Sequence, residues 1–371
     1  MSLGRSGQTH YAVSMEHRGE TALLRALAQV APGTPLREGI NRILQSGRGG
    51  LIVIGDGPDV LNICSGGFLL DAAFTPQRLS ELAKMDGAII LAADGSRIAR
   101  ANVHLVPNPN VPTSETGTRH RTAERVARSL NVPVISVSES RQEISVYVGD
   151  QKDPLDPVTR LLSRSNQAIQ TLERYRARLD AVTKNLSALE VEDLVTLRDV
   201  VEVLQRTEMV VRIAAEIKRN LVELGSDGRL VRLQLEELVS GVEDDRRLVI
   251  RDYFHEDVTF HVEEAMDALG DLDDDSLFDE ELLAKTLHLA ASATDLDATL
   301  EPRGYRLLAK LPRIPESVVE RVVDEFGSLS RILRATPAEL EAVEGLSAVR
   351  AQAVKEGLGR LAESSILERY H

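Results

Sequence analysis

Residues 117–138 read GTRHRTAERVARSLNVPVISVS. Ala123, Val126, Ala127 and Leu130 recur at the i, i+3, i+4, i+7 spacing that lays one apolar stripe along a helix. Val134-Ile135-Ser136-Val137, directly after it, reads as a short buried strand. A helix feeding into a strand predicts an α/β domain. Leu51-Ile52-Val53-Ile54, Ala88-Ile89-Ile90-Leu91 and the alternating residues from Ile144 to Val148 repeat the strand signal, with Gly and Pro between them. A mixed central sheet flanked by helices is therefore expected over residues 15–151. The stretch before Met15, rich in Ser and Gly, has no charged-then-apolar signal architecture and is left out of the fold reading.

After Asp153-Pro154-Leu155-Asp156-Pro157 glycine becomes rare and apolar residues take helical spacing: Ile169, Leu172, Leu179, Val182, Leu186, Leu189, then Ile213, Ile217, Leu221, Leu224. These stripes read as packing between helices, giving an all-α middle region over 152–307 with a long spine helix. From Leu308 an internal repeat appears at an offset of 32 residues. Leu308, Leu311, Ile314, Val319, Val322 and Phe326 fall on Leu340, Val343, Leu346, Ala351, Val354 and Leu358, which predicts two similar helix-turn-helix units over 308–371.

Composition bounds the function. With 371 residues and 43% hydrophobic content, the chain can build two or three cores. No apolar run approaches the roughly 18 residues of a membrane span. The single Cys64 offers no intramolecular disulfide, and no Cys/His spacing resembles a zinc site. A cytoplasmic protein without a membrane partner is expected. The net charge of −14 is uneven: residues 1–151 sum to +1, 152–309 to −14 and 310–371 to −1. Ten carboxylates and no Lys or Arg lie between Glu263 and Glu281, so the middle should not touch nucleic acid while either end could. Aromatic residues make up 3% of the chain and Trp is absent, which argues against stacking on single-stranded bases. There is no Walker loop, no G-x-S-x-G and no cysteine cluster.

Three motifs can carry chemistry. Asp86-Gly87-Ala88 stands at the mouth of a buried strand, where a carboxylate could hold a divalent metal and a glycine could admit a ligand to the backbone; Asp-Gly is also an ordinary turn pair, as at Asp56, Asp94 and Asp227. Gly117-Thr118-Arg119-His120-Arg121-Thr122 opens a helix. Cations are disfavoured at that positive end unless an anion sits there, so two arginines, a histidine and two threonines suggest bound phosphate; a solvated basic helix start is the plainer reading. In the C-terminal repeat, Gly345-Leu346-Ser347 precedes a helix in the pattern of a tight hairpin whose backbone N–H groups can cradle a DNA phosphate without reading bases; a hairpin used only for packing is the plainer reading there. The first copy, Leu311-Pro312-Arg313-Ile314-Pro315, lacks the glycine, and Pro315 removes a donor.

Asp86-Gly87-Ala88 and Arg119-His120-Arg121, about thirty residues apart in an α/β domain, resemble the signature of diadenylate cyclase domains. Followed by a helical middle and helix-hairpin-helix repeats, the order resembles that of the bacterial DNA integrity scanning family. The resemblance implies a nucleotidyltransferase that condenses two ATP molecules into cyclic di-AMP and releases pyrophosphate. It implies that Asp86 binds Mg²⁺ or Mn²⁺ and helps activate the ribose 3′-hydroxyl, with Asp86, Arg119 and His120 as the catalytic set. Gly87 and Ala88 would admit the nucleotide; Thr118, Arg119, His120, Arg121 and Thr122 would hold the triphosphate; the Leu105 backbone and Ser138 would add contacts. It implies branched or damaged double-stranded DNA as a partner, held at Gly345, Leu346 and Ser347, and a homo-octamer with paired cyclase domains. A two-fold product from one ATP per domain also argues for two domains face to face. A second reading keeps the DNA-junction binding and leaves the nucleotide domain as a sensor of ATP or cyclic di-AMP.

Overall fold

The computed structural model describes residues 21–254, 261–289, 295–312 and 314–369. The stretch before Met15 and Arg313 of the first hairpin copy lie outside the described residues. The chain divides into two compact units: one takes residues up to Gln167 together with Ile217–Leu233, the other Ala168–Glu216 and the residues from Gln234 onward.

The first unit is α/β. Its elements are α1 (21–29), α2 (Pro35–Gln45), β1 (Gly50–Ile54), α3 (Pro58–Asn62), β2 (Cys64–Ser65), β3 (Phe68–Ala73), α4 (Pro76–Leu82), β4 (Ala88–Leu91), β5 (Arg97–Leu105), α5 (Thr118–Leu130), β6 (Val134–Ser138), β7 (Glu143–Val148) and β8 (Gln151–Pro154). The sheet runs β2-β5-β4-β1-β6-β7-β8, with β3 also on β5. It is mixed, because β1 and β4 are parallel while every other pair is antiparallel.

Every residue of β1, β4 and β6 is buried, as strands covered on both faces require. Alternation sorts their side chains. Ile52, Ile89, Ile135 and Val146 meet Leu27 of α1, Ile40 and Ile43 of α2 and Leu79 of α4 on one face. Val53, Ile90, Val134 and Tyr147 meet Val60 of α3 and Ala123, Val126 and Ala127 of α5 on the other. Each such side chain contributes about 1.5–3 kcal/mol of burial, which fixes the register of every strand. The helix starts follow from local chemistry: Thr34 and Thr75 each accept the N–H three residues on, and Pro35 and Pro76 occupy the first helical turn. Helix α5 stops at Asn131, in the left-handed region at φ 52°, which frees the chain to enter β6.

Helices α6 (Val158–Glu192) and α7 (Leu197–Leu224) supply residues to both units, and α6, at 35 residues, is the expected long helix. Leu172, Leu186, Ile217, Leu221 and Leu224 of the sequence stripes are buried, so the stripes are core, while Val182 and Ile213 are only half-buried. Helix α8 (Arg229–Val239) likewise supplies residues to both units, and the second unit continues with α9 (Val242–Tyr253), α10 (Val262–Gly270), α11 (Asp274–Leu277) and α12 (Glu280–Thr286). Arginines from elsewhere reach the acidic segment: Arg212 pairs with Asp274, Arg198 with Glu280 and Arg247 with Glu263.

The C-terminal elements are α13 (Tyr305–Ala309), α14 (Glu316–Phe326), α15 (Leu329–Arg334), α16 (Pro337–Glu341) and α17 (Ala348–Arg369). The repeat is realised as a short helix, a turn and a longer helix, twice over. Its twelve paired apolar positions share one core, with Ile314 and Phe326 at the margin. That core also takes Val191 of α6. Beside it lies a buried polar cluster: Arg306 is fully buried and donates to Glu190 and Ser187, Tyr253 donates to Glu190 at 2.7 Å, and Asp252 accepts the N–H groups of Gly304, Tyr305 and Arg306.

Candidate active site

Because β1 and β4 run parallel and β5 and β6 run against them, the starts of β1 and β4 and the ends of β5 and β6 share one edge of the sheet. Asp86 and Gly87 lead into β4, Gly49 leads into β1, Leu105 ends β5 and Ser138 ends β6. The sequence-predicted residues before and after these strands therefore converge on that edge.

Helix α5 starts there. Gly117 is its N-cap and offers no side-chain cap, and the first turn has no acidic residue. Its free N–H groups are joined by Arg119, His120 and Arg121, so positive potential accumulates in a turn that carries no carboxylate of its own. The preceding loop is held by Glu124 of the same helix, which accepts the Thr113 hydroxyl, the Ser114 N–H at 3.0 Å and the Ser114 hydroxyl at 3.2 Å while pairing with Arg128. Burial raises the Glu124 carboxyl, but these donors outweigh it and hold the group below its usual range, so it stays ionised.

A cavity of about 390 Å³ opens at this helix start, between Gly117, Thr118, Arg119 and His120 on one side and Ser138, Glu139 and Ser140 on the other. Of the sequence-predicted residues the structure gathers Thr118, Arg119, His120 and Ser138 around it. Arg121 is exposed and does not line it, and the Thr122 hydroxyl donates back to the Thr118 carbonyl at 2.9 Å. Ser138 is buried, and its Oγ accepts the Arg141 N–H at 3.3 Å. Arg119 packs against the chain before β1: a Cβ on Gly49 would stand 2.2 Å from its Nη1 and 2.9 Å from the Val137 carbonyl oxygen. Gly49 is thus a site residue that composition and spacing did not flag.

His120 is held from behind. Its Nδ1 is 2.9 Å from the Tyr147 hydroxyl, which donates to Glu115 at 3.1 Å, and Lys152 pairs with the same Glu115 oxygen at 2.6 Å. Burial is the main influence lowering the His120 pKa below its ordinary value, with Glu115 opposing it. Burial and then the Glu115 carboxylate push the Tyr147 hydroxyl up. Glu115 itself is raised by burial, yet Lys152 and Tyr147 bring it below the usual carboxylate range. Neither Glu115 nor Tyr147 carried a signal in the sequence, since one sits in a polar loop and the other alternates in an ordinary strand.

Asp86 is exposed, and its carboxylate joins no hydrogen bond or ion pair among the described residues. It stands two strand spacings from Ser138, about 10 Å across β1, and does not line the cavity. No group of three or more His, Cys, Asp or Glu residues able to hold a metal occurs among the described residues. A free carboxylate still fits Mg²⁺ or Mn²⁺, hard ions that bind one or two carboxylates and complete their shells with water and substrate phosphates. Gly87 has φ +149°, and a Cβ there would meet Asn102 of β5 at 2.8 Å from its carbonyl carbon and 2.9 Å from its Cα. The neighbour that demands glycine is therefore the β5 backbone. Ala88 and Leu105 are buried, so only their main chain can face a ligand.

Residues 37–152, from α2 into β8, match the family model described as DisA bacterial checkpoint controller nucleotide-binding, and residues 155–296 match its linker region. The chain is 53% identical over 353 residues to the DNA integrity scanning protein DisA of Frankia alni, spanning 95% of this chain and 98% of that protein. The chain belongs to the DisA family. The DisA protein of Streptomyces coelicolor is 51% identical over 356 residues, covering 95% of each chain. The cavity at the start of α5 lies wholly inside the segment matched as the family's nucleotide-binding domain, and α6 to α12 lie inside the DisA linker match. Among the described residues no helix is long and apolar enough to cross a membrane.

Proposed function

We propose that this chain is a diadenylate cyclase that joins two ATP molecules into cyclic di-AMP with release of two pyrophosphates. The observation that carries the reading is the uncapped, carboxylate-free start of α5, which opens with Thr118, Arg119 and His120 on a cavity inside a nucleotide-binding segment of the DisA family. Those donors suit the α-, β- and γ-phosphates of ATP, with Arg121 and Thr122 near the entrance and Ser138 opposite. The 3′-hydroxyl of one ATP attacks the α-phosphate of the other in line, and the leaving pyrophosphate is stabilised by arginine and backbone N–H groups. Asp86, whose exposed carboxylate is otherwise unengaged among the described residues, would accept the 3′-hydroxyl proton or hold Mg²⁺ or Mn²⁺, which would supply charge neutralisation on the transferring phosphate. Its distance from the cavity on the same chain favours a site completed by a second copy, each domain lending Asp86 to the ATP of the other. A symmetric homo-oligomer, up to the octamer, meets that need.

The second half of the reading is that residues 308–371 form a helix-hairpin-helix module for branched or damaged double-stranded DNA. Gly345 has φ +91°, Leu346 is buried and anchors the turn, and Ser347 precedes the long α17. Arg321 stands at this turn, its Nη2 2.6 Å from where a Gly345 Cβ would be, and Arg350 donates to the Gly345 carbonyl at 3.3 Å. Backbone donors between two guanidinium groups suit a phosphate, without base readout. A module of near-neutral charge binds plain duplex weakly, so several in one oligomer favour a junction.

The test is a nucleotide chromatogram after incubation with ATP and Mn²⁺, for the parent protein and Asp86→Asn, with a band shift on a four-way junction from the same preparations. The parent makes cyclic di-AMP, Asp86→Asn loses synthesis by orders of magnitude, and both shift the junction. A parent that binds ATP and the junction but forms no product refutes the cyclase and leaves a nucleotide-sensing junction binder.

A further inference from the structure

Tyr147 has one hydroxyl proton, and the geometry directs it to Glu115 Oε1. The 2.9 Å contact with His120 is then made by the histidine Nδ1–H, with the tyrosine oxygen accepting. That leaves Nε2 without a proton on the ring edge away from Tyr147, where Cδ2 stands 3.7 Å from the position a Gly117 Cβ would take, at the cavity wall. A bare nitrogen lone pair repels a phosphate oxygen, whereas an Nε2–H⁺ donates to it. Glu115 sits at the far end of the same chain of hydrogen bonds, ionised and steadied by Lys152, and its loop is tied to α5 through Thr113, Ser114 and Glu124.

We infer that Tyr147 and Glu115 are positioning residues for His120: they fix its tautomer and ring plane so that Nε2 meets the incoming phosphates, and the ring takes one proton from solvent as the nucleotide binds. The inference rests on the nucleotide-site reading above and adds how the site gains a further positive charge beside Arg119. Facing the ring are Glu115 and Glu143, which favour the imidazolium, and Lys152 and Arg141, which oppose it; Arg119 and Arg121 adjoin it on α5. With Lys152 and Arg141 added to burial, the free ring is neutral above its lowered pKa. A polyanion at Nε2 raises the bound-state pKa. Affinity is therefore gained as pH falls through the bound-state value and is lost as pH rises through it.

Calorimetric titration with α,β-methylene-ATP and Mg²⁺ at pH 8, in two buffers of different ionisation enthalpy, reads this without turnover. The probe cannot be cleaved at the bond the reaction breaks, and its phosphates are already ionised at that pH. The parent's binding enthalpy varies with buffer in the sense of proton uptake. Tyr147→Phe, which keeps the ring and removes the hydroxyl, loses that dependence and binds about tenfold more weakly, the loss expected of a hydrogen bond to a charged group. Glu115→Gln moves both readouts in the same direction, so a fold failure in one variant, seen in its melt, leaves the other to decide. Buffer-independent binding by the parent, or a buffer dependence that survives in folded Tyr147→Phe and Glu115→Gln proteins, overturns the inference while the nucleotide site stands. No binding of the probe by the parent overturns both.

Discussion

Replacing Gly87 with alanine separates two reasons for a glycine beside Asp86. The sequence suggests that Gly87 admits a nucleotide; the structure puts the β5 backbone where its side chain would go. At φ +149° an L-residue is strained by roughly 1–3 kcal/mol. The new Cβ would also sit 2.8 and 2.9 Å from the carbonyl carbon and Cα of Asn102, well inside ordinary contact, and neither is the end of a flexible side chain. Asn102 is itself at φ 55°, and the β4–β5 register already shifts between Ala88 and Ile90, so the strands have to part by about half an ångström or more. Strain and overpacking together cost roughly 2–6 kcal/mol of stability. Asp86 moves with its neighbour, and a misplacement approaching 1 Å costs up to about 10²-fold in rate. Thermal melts followed by circular dichroism, with product formation at saturating ATP and the affinity for α,β-methylene-ATP, read the three effects apart. The expected pattern is a lower melt, slower synthesis and near-parent affinity, since the cavity at the start of α5 is two strands away. An unchanged melt with lost affinity refutes the packing argument and restores the glycine to the ligand.

Glu223 is pushed up to about 7 by burial and then by Asp153 and Asp156, with Arg219 and Arg164 opposing. Its folded value lies above the unfolded one, so the native state holds the extra proton, and stability falls as pH rises from about 4 to about 7. Glu223→Gln accordingly melts later than the parent at pH 8 and no later at pH 4; equal shifts at both refute the titration. Arg306→Met strands the buried Glu190 carboxylate and lowers urea resistance by about 3–5 kcal/mol, whereas adding Glu190→Met recovers most of it. A double variant no more stable than the single one refutes the argument, because the cost then lies in the loss of Arg306 itself and not in an unpaired carboxylate.

The readable parts of the fold were those where one local pattern serves one environment. β1, β4 and β6 are covered on both faces and show as apolar runs, β7 shows as an alternation, and α5 and the C-terminal repeat show as stripes. β5 escaped because Arg97, Arg100, Asn102 and His104 interrupt it, and the left-handed Asn102 breaks the period of two. β3 escaped for the opposite reason: Phe68 and Leu69 are apolar yet exposed on a strand with an irregular register. At the site, Thr118 and His120 were legible as cations and hydroxyls where a helix dipole disfavours cations. Their meeting with Ser138 was not, because it depends on β6 lying antiparallel beside β1. Gly49, Glu115 and Tyr147 depend on contacts across strands, such as Val134 opposite Tyr147, that no local spacing encodes.

The core that joins α13–α17 to Val191, and the buried pairing of Arg306 with Glu190, bear on inheritance. A recombination event that exchanged the last sixty or so residues would cut through the core of the twin hairpins. One that began a little earlier, ahead of Arg306, would import an arginine whose counter-charge is encoded more than a hundred residues upstream. Within this lineage the C-terminal helices are therefore expected to travel with the end of α6 as a single heritable block, and grafts onto foreign scaffolds succeed only when Glu190 and its helix are carried along.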